Sequence, residues 1–170
     1  MGNSHLIVKN LTTQNQLPPL DSPSSNLPPL TVYTLGRFAV YQGSRLIEDR
    51  VWKRRKAKSL FKLLLLAPNH QLLKDRLLEL LWPDQDPVRA TNNLHRTLFV
   101  LRRVLQPDSP DSSDHQYILF QDSNLILNRD TIASVDLEEF ERLIQLGRQQ
   151  DNPLDTYETA RTLYQGDLLP

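Results

Sequence analysis

The 170 residues predict an α+β fold, and three patterns carry that expectation. Residues 30–49 alternate apolar and polar side chains, the period of a strand. Three segments between 54 and 105 repeat their apolar residues every three or four positions, the period of a helix with one buried face. Two short apolar runs then flank a polar centre in "YILFQDSNLILN", the pattern of a β-hairpin, and helical spacing returns after it.

In chain order, residues 1–29 are expected to be a disordered tail. "NQLPPLDSPSSNLPPL" is rich in Pro and Ser and has no apolar face to bury. "LTVYTLGRFAVYQGSRLIED" follows as a short antiparallel meander broken at Gly36 and Gly43. The next stretch predicts a helix from about Arg54 to Ala67, with Ala57, Leu60, Phe61 and Leu64 as its buried stripe and Pro68-Asn69 as its stop. "QLLKDRLLELLWP" predicts a second, shorter helix ended by Pro83, with Lys74 where a Ser or Thr cap would be expected.

The third helix lies in "DPVRATNNLHRTLFVLRRVLQP". Leu94, Leu98, Leu101 and Leu105 form one stripe, and Arg89, Asn92, Asn93, Arg96 and Arg103 fall on nearly the opposite side. After the polar loop at 106–116 comes the hairpin. Asp136 with Glu139 then reads as a capping box for a helix carrying Leu137, Phe140 and Ile144. Asn152-Pro153 reads as the cap and first residue of another, carrying Tyr157, Ala160 and Tyr164 and stopped by Gly166. The domain reading is a tail over 1–29, a compact unit over 30–130, and the start of a helical unit over 131–170.

Composition narrows the function classes. No apolar run approaches the ~18 residues of a membrane span. The chain has no cysteine, which removes disulfide and thiolate chemistry and makes a reducing, cytoplasmic setting the default expectation. "MGNSHL" opens like an acylation signal, but Leu6 stands where Ser or Thr is required. The five glycines are scattered, so no phosphate loop exists, and the four histidines show no metal-ligand spacing. No G-x-S-x-G or H-E-x-x-H motif is present. The expectation is a non-enzyme with no cofactor and no metal.

The formal net charge of zero hides a division. Residues 31–105 hold fifteen Lys or Arg against six Asp or Glu, and residues 106–170 hold four against thirteen. A block that basic points to a polyanion; the competing explanation is that the two halves dock on each other or on a partner, as an interaction module. The third helix favours double-stranded DNA. A major groove admits an α-helix, Arg can donate two hydrogen bonds to guanine, and Asn can pair bidentately with adenine. Two adjacent asparagines also cost helix stability unless something uses them. The candidate base contacts are Arg89, Asn92, Asn93 and Arg96, with Val100 offering an apolar contact to a thymine methyl.

Candidate phosphate contacts are His95, Arg102 and Arg103, and Lys53, Arg54, Arg55 and Lys58 at the start of the first helix. Cations there oppose the macrodipole by about 0.3–1 kcal/mol each, a conflict an external anion would resolve. The hairpin has the form of a wing, but its tip, Gln121 to Asn124, lacks Lys and Arg. That leaves Ser123, Asn124 and Arg129 as its candidates. RNA is the weaker ligand, since Phe38, Tyr41 and Phe61 read as core rather than as stacking platforms.

Strands, three helices and a hairpin in this order resemble the winged helix-turn-helix DNA-binding domain of the OmpR/PhoB type. "LGRFAVYQGSRLI", "RKAKSLFKLLLLAP", "LLELLWPDQDPVRATNNLHRTLFVLRRVL" and "YILFQDSNLILN" resemble successive blocks of that domain in the SARP-type bacterial transcriptional activators. "VDLEEFERLIQLGRQ" and "TLYQGDLLP" resemble the start of their bacterial transcriptional activation domain, a TPR-like helical array. The resemblance runs from about Leu30 to Pro170. It implies an activator that binds direct repeats upstream of promoters as a dimer or multimer and recruits RNA polymerase. It also implies that the helix at 88–105 is the recognition helix, and that the loop before it, with Asp84, Gln85 and Asp86, touches the polymerase. The family normally carries several more helices after the two present here. An isolated pair of that kind is expected to be marginal unless it packs on the winged helix.

Overall fold

The computed structural model describes residues 27–52, 54–108 and 116–170, which build two sheets and five α-helices. The expected tail therefore lies outside the described residues except at its end. There Leu27 packs against the core, and the Pro28 carbonyl accepts from the Tyr117 hydroxyl at 2.6 Å.

The meander forms as its alternation predicts. β1 (Leu30–Tyr33), β2 (Ala39–Gln42) and β3 (Arg45–Leu46) pair antiparallel in succession, with Leu30, Val32 and Val40 turned into the core. α1 (Arg55–Leu66) buries Ala57, Leu60, Phe61 and Leu64, the expected stripe, and Leu65 beside it. The Phe61 ring sits 5.5 Å from that of Trp52, in the turn before the helix, and 6.2 Å from that of Phe38, just ahead of β2. Pro68 stops the helix, and Asn69 and His70 take left-handed backbone angles that swing the chain out of helical direction.

One expectation changes here. Gln71–Leu73 is not the first turn of the second helix but a strand, β4, and α2 runs only from Lys74 to Leu81. The apolar pair Leu72-Leu73 fits either period; pairing with a distant strand decides it. α3 (Pro87–Leu105) starts with Pro in its first turn and with the Asp86 carboxylate accepting from the N–H groups of Val88 and Arg89 at 3.1 and 3.0 Å. α1 and α3 pack face to face, and α2 braces both.

β5 (Ile118–Gln121) and β6 (Asn124–Leu127) form the hairpin, with Gln121 opposite Asn124. Asp122 and Ser123 both have positive φ, 48° and 64°, so the two-residue loop has the sign pattern of a type I′ turn, whose twist matches that of the strands. β4 joins β6 on its other edge, giving a three-stranded sheet in the order β4-β6-β5.

The chain then returns to the first sheet. β7 (Ile132–Val135) pairs parallel with β1, giving the order β3-β2-β1-β7. The expected boundary at 130/131 thus falls just ahead of a strand that belongs to the first sheet. α4 (Asp136–Gly147) and α5 (Leu154–Leu163) follow as an antiparallel pair.

The capping box expected from Asp136 and Glu139 does not form. Glu139 pairs with Arg142, with two contacts of 2.7 Å. The buried Asp136 carboxylate accepts from Thr34 N at 2.7 and 2.9 Å, Thr34 Oγ1 at 2.7 Å and Leu35 N at 3.0 Å, all just past the end of β1. It also accepts from Leu137 N at 2.9 Å. α5 begins one residue later than Asn152-Pro153 suggests, with no side-chain cap, and of the expected stripe only Ala160 is buried. Tyr157 lies over Gly147, and the rings of Phe140 and Tyr164 are 6.1 Å apart.

The segment after α5 closes the circuit. Leu168 bridges Leu35, Gly36 N donates to Asp167 O at 2.8 Å, and Leu169 N donates to Thr34 O at 2.7 Å. The helical pair is thus packed on the first unit from both its ends. That supplies the neighbour such a pair needs.

Candidate nucleic-acid interface

α3 is held by its apolar side. Ala90, Leu94, Thr97, Leu98, Leu101, Val104 and Leu105 are buried against α1, α2 and the hairpin. The opposite side carries Val88, Arg89, Asn92, His95, Arg96, Phe99 and Arg103, all exposed. At 100° per residue these seven span one arc, with Asn92, Phe99 and Arg103 near its middle. Asn92, His95 and Arg96 have no polar side-chain partner among the described residues. Arg89 makes one ion pair, 3.2 Å from Asp86, across the first turn of the helix.

The exposed arc is rotated relative to the sequence-based one. Val100 is partly buried and packs against the core, so it is not presented outward as expected. Phe99, which drew no attention in the sequence, takes the outward position with 62% of its surface exposed. Asn93 sits at the edge of the arc, where its Nδ2 donates to Gln85 Oε1 at 2.6 Å. The signal that could have found Phe99 was its spacing, seven residues after Asn92 and three after Arg96.

The expected phosphate contacts divide in the same way. Arg54 and Arg55 are exposed at the N-terminus of α1 with no side-chain partner among the described residues. Lys53 lies outside the described residues. Lys58 is already engaged: it pairs with Asp49 and stands 5.1 Å from the Phe38 ring centre. Lys56, in the same cluster, donates to Leu81 O and lies over the Trp82 ring. Arg102 turns inward and donates through Nε and a terminal nitrogen to Ile118 O at 3.3 and 3.0 Å, fixing the hairpin to α3. Burial holds its guanidinium below the ordinary arginine pKa.

At the hairpin tip Ser123 is exposed and Asn124 half-buried, and the Ser123 carbonyl accepts from Lys74 N at 2.8 Å. Arg129 is remote from that tip. It pairs with Glu138 at 2.7 Å and reaches His70 Nε2 at 3.2 Å, so it belongs to the joint with α4. In the loop before α3, Gln85 and Asp86 are occupied by Asn93 and by the helix cap, while Asp84 is exposed.

Among the described residues no three His, Asp or Glu side chains gather where a metal could sit, and no helix is long and apolar enough to cross a membrane. Across the two halves Glu138 pairs with His70; no described residue of the acidic half is paired with Asn92, His95 or Arg96 on the exposed face of α3.

No family model matches the sequence, and no curated protein matches it. Among solved structures, Mycobacterium tuberculosis EmbR, determined in complex with a low-affinity phosphopeptide, matches 84% of this chain with a TM-score of 0.65 at 17% identity. The match covers 38% of the EmbR chain, so this chain spans well under half of that protein. At this level of identity the match establishes a shared fold: two sheets and five helices arranged as in part of EmbR.

Proposed function

We propose that the chain is a non-enzymatic, sequence-specific double-stranded DNA-binding regulator of the SARP type. In this reading residues 30–130 form an OmpR/PhoB-type winged helix, α3 is its recognition helix and the β5–β6 hairpin its wing. α4 and α5 are the first pair of a TPR-like activation domain. The observation that carries the reading is the exposed arc of α3: Asn92 and Arg96 stand outward with no polar side-chain partner among the described residues, while the other side of the helix is locked in the core.

Asn92, Arg96 and Arg89 face base edges, with Asn93 at the rim. Arg103, His95, Arg54 and Arg55 hold phosphates, as does Lys53. Ser123 and Asn124 supply the weaker hydrogen bonds of an uncharged wing. By the same family resemblance, Asp84 to Asp86 touch RNA polymerase, and two or more copies sit on direct repeats in the cytoplasm. EmbR's likeness in fold supports the SARP assignment; its phosphopeptide is a property of EmbR and is not carried over.

The test is selection of bound sequences from a random duplex pool, followed by gel shifts of an enriched site at two salt concentrations. An enriched motif is expected, with an affinity that falls as salt rises at a log–log slope of about −0.9 per phosphate neutralised. No enrichment, with no salt-sensitive binding at micromolar protein, overturns the reading in favour of a protein-interaction module.

A further inference from the structure

The DNA reading leaves one exposed group without a role. Phe99 stands near the middle of the outward arc of α3, three residues after Arg96 and four before Arg103. Beside it opens a cleft of about 330 Å³ between α3 and the hairpin, with Leu94, Leu98 and Leu125 in its lining and Phe120 on the far wall, 47% exposed. Val88, 71% exposed, continues the apolar line toward the start of the helix. An isolated exposed apolar side chain is ordinary; one at the centre of a row of Arg and Asn, backed by a second exposed phenylalanine, is not. No carboxylate lines the cleft, so nothing in it repels a polyanion.

We infer that Phe99 reads the C5-methyl group of a thymine, and that this contact is a specificity determinant of the site. The inference rests on the DNA reading above. The chemistry is direct. In the major groove the thymine methyl is the one apolar feature of the base edges. An aromatic ring presented among hydrogen-bonding side chains is able to meet it without leaving a polar group unpaired. Arg96, one turn earlier, and Asn92, two turns earlier, reach neighbouring bases, so Phe99 adds a position that hydrogen bonds alone would leave degenerate. Val100, the alternative apolar reader on this helix, packs on the core instead.

The experiment replaces each thymine of an enriched site, one at a time, with deoxyuridine, which lacks only that methyl. Binding of the full chain and of Phe99→Ala is compared on every duplex. Burying one methyl corresponds to about a fourfold change in affinity. One thymine is expected at which deoxyuridine weakens the unsubstituted protein by about that factor. Phe99→Ala should bind the two duplexes equally there while keeping its discrimination at other positions. Because the ring is exposed, the variant is expected to keep the unsubstituted protein's unfolding midpoint.

An enriched site at which no thymine is methyl-sensitive overturns the inference and leaves the DNA reading standing. So does a methyl effect that survives Phe99→Ala. Loss of affinity in Phe99→Ala that tracks a change in oligomeric state, with equal loss on every sequence, assigns the ring to contact between copies and also overturns it. A pool with no enriched sequence overturns both.

Discussion

Asp136 offers the sharpest test of how the two parts of the chain are joined. Its carboxylate takes hydrogen bonds from Thr34 N, Thr34 Oγ1 and Leu35 N, and Thr34 and Leu35 are both buried. Asp136→Ala removes the acceptor and leaves these donors behind. The hydroxyl is free to rotate toward another acceptor; the two backbone N–H groups are fixed. A buried donor left unmade costs about 1–3 kcal/mol, so two of them, with some water entry at the edge of the site, give a loss of about 3 kcal/mol. With a urea slope of about 2 kcal/mol per molar, the midpoint falls by about 1.5 M.

Two probes separate local from global loss. Trp52 and Trp82, both buried beside α1, report the first unit by fluorescence, and far-UV circular dichroism reports all five helices. The dichroism transition is expected to shift further than the fluorescence one, because β7 and α4 lose their anchor first. Asp136→Asn keeps one acceptor oxygen but turns an NH₂ toward the same donors, and should fall between. A loss below about 1 kcal/mol in Asp136→Ala, or coincident transitions shifted by the same small amount, would refute the argument that this carboxylate ties the helical pair to β1.

Other expectations follow from the same geometry. Asn92→Ala and Arg96→Ala should each cost about 1–3 kcal/mol on an enriched site and relax one base position, whereas Asn93→Ala, whose amide is held by Gln85, should cost less in the same gel shifts. Arg55→Ala should weaken binding on all sequences alike and reduce the salt slope by about 0.9, while Arg102→Ala should lower the unfolding midpoint and leave that slope unchanged. Gly36→Ala should strip the return segment from β1: φ at Gly36 is +79°, and a Cβ there would meet the Gln165 carbonyl carbon at 2.5 Å. Increased protease cleavage after α5 would show it.

Burial holds the Tyr117 phenol above its ordinary pKa of 10.0, partly offset by the hydrogen bond from Gln42 and by Arg45. A raised folded-state pKa means that this contribution to stability is complete below pH about 10 and is lost as pH climbs through the folded value. Urea midpoints measured from pH 9 upward should therefore decline, and less steeply in Tyr117→Phe than in the unsubstituted protein.

Much of this architecture is legible from local pattern. The stripes of α1 and α3, the meander and the hairpin each announce themselves through a period set by backbone geometry, and each forms where its residues predict. The elements that escape are those stabilised only by distant partners. β4 is three residues, Gln71 to Leu73, that would suit a helix; β6, more than fifty residues later, makes it a strand. β7 has no hairpin partner to reveal it, because it pairs parallel with β1 about a hundred residues back.

By itself the sequence determined which helix is amphipathic, that its polar side is rich in Arg and Asn, and that positive charge gathers ahead of residue 106. Only the tertiary structure decided which part of that polar side meets solvent. Packing against α1, α2 and the hairpin covers Val100, turns Arg102 onto the Ile118 carbonyl and gives Asn93 to Gln85, leaving Asn92, Arg96 and Phe99 outward. The physical reason is that helical periodicity fixes the angles between side chains, whereas which angle is buried depends on where neighbouring elements touch. The same holds for Asp136, whose spacing from Glu139 suggests a local cap until the end of β1 brings stronger donors to it.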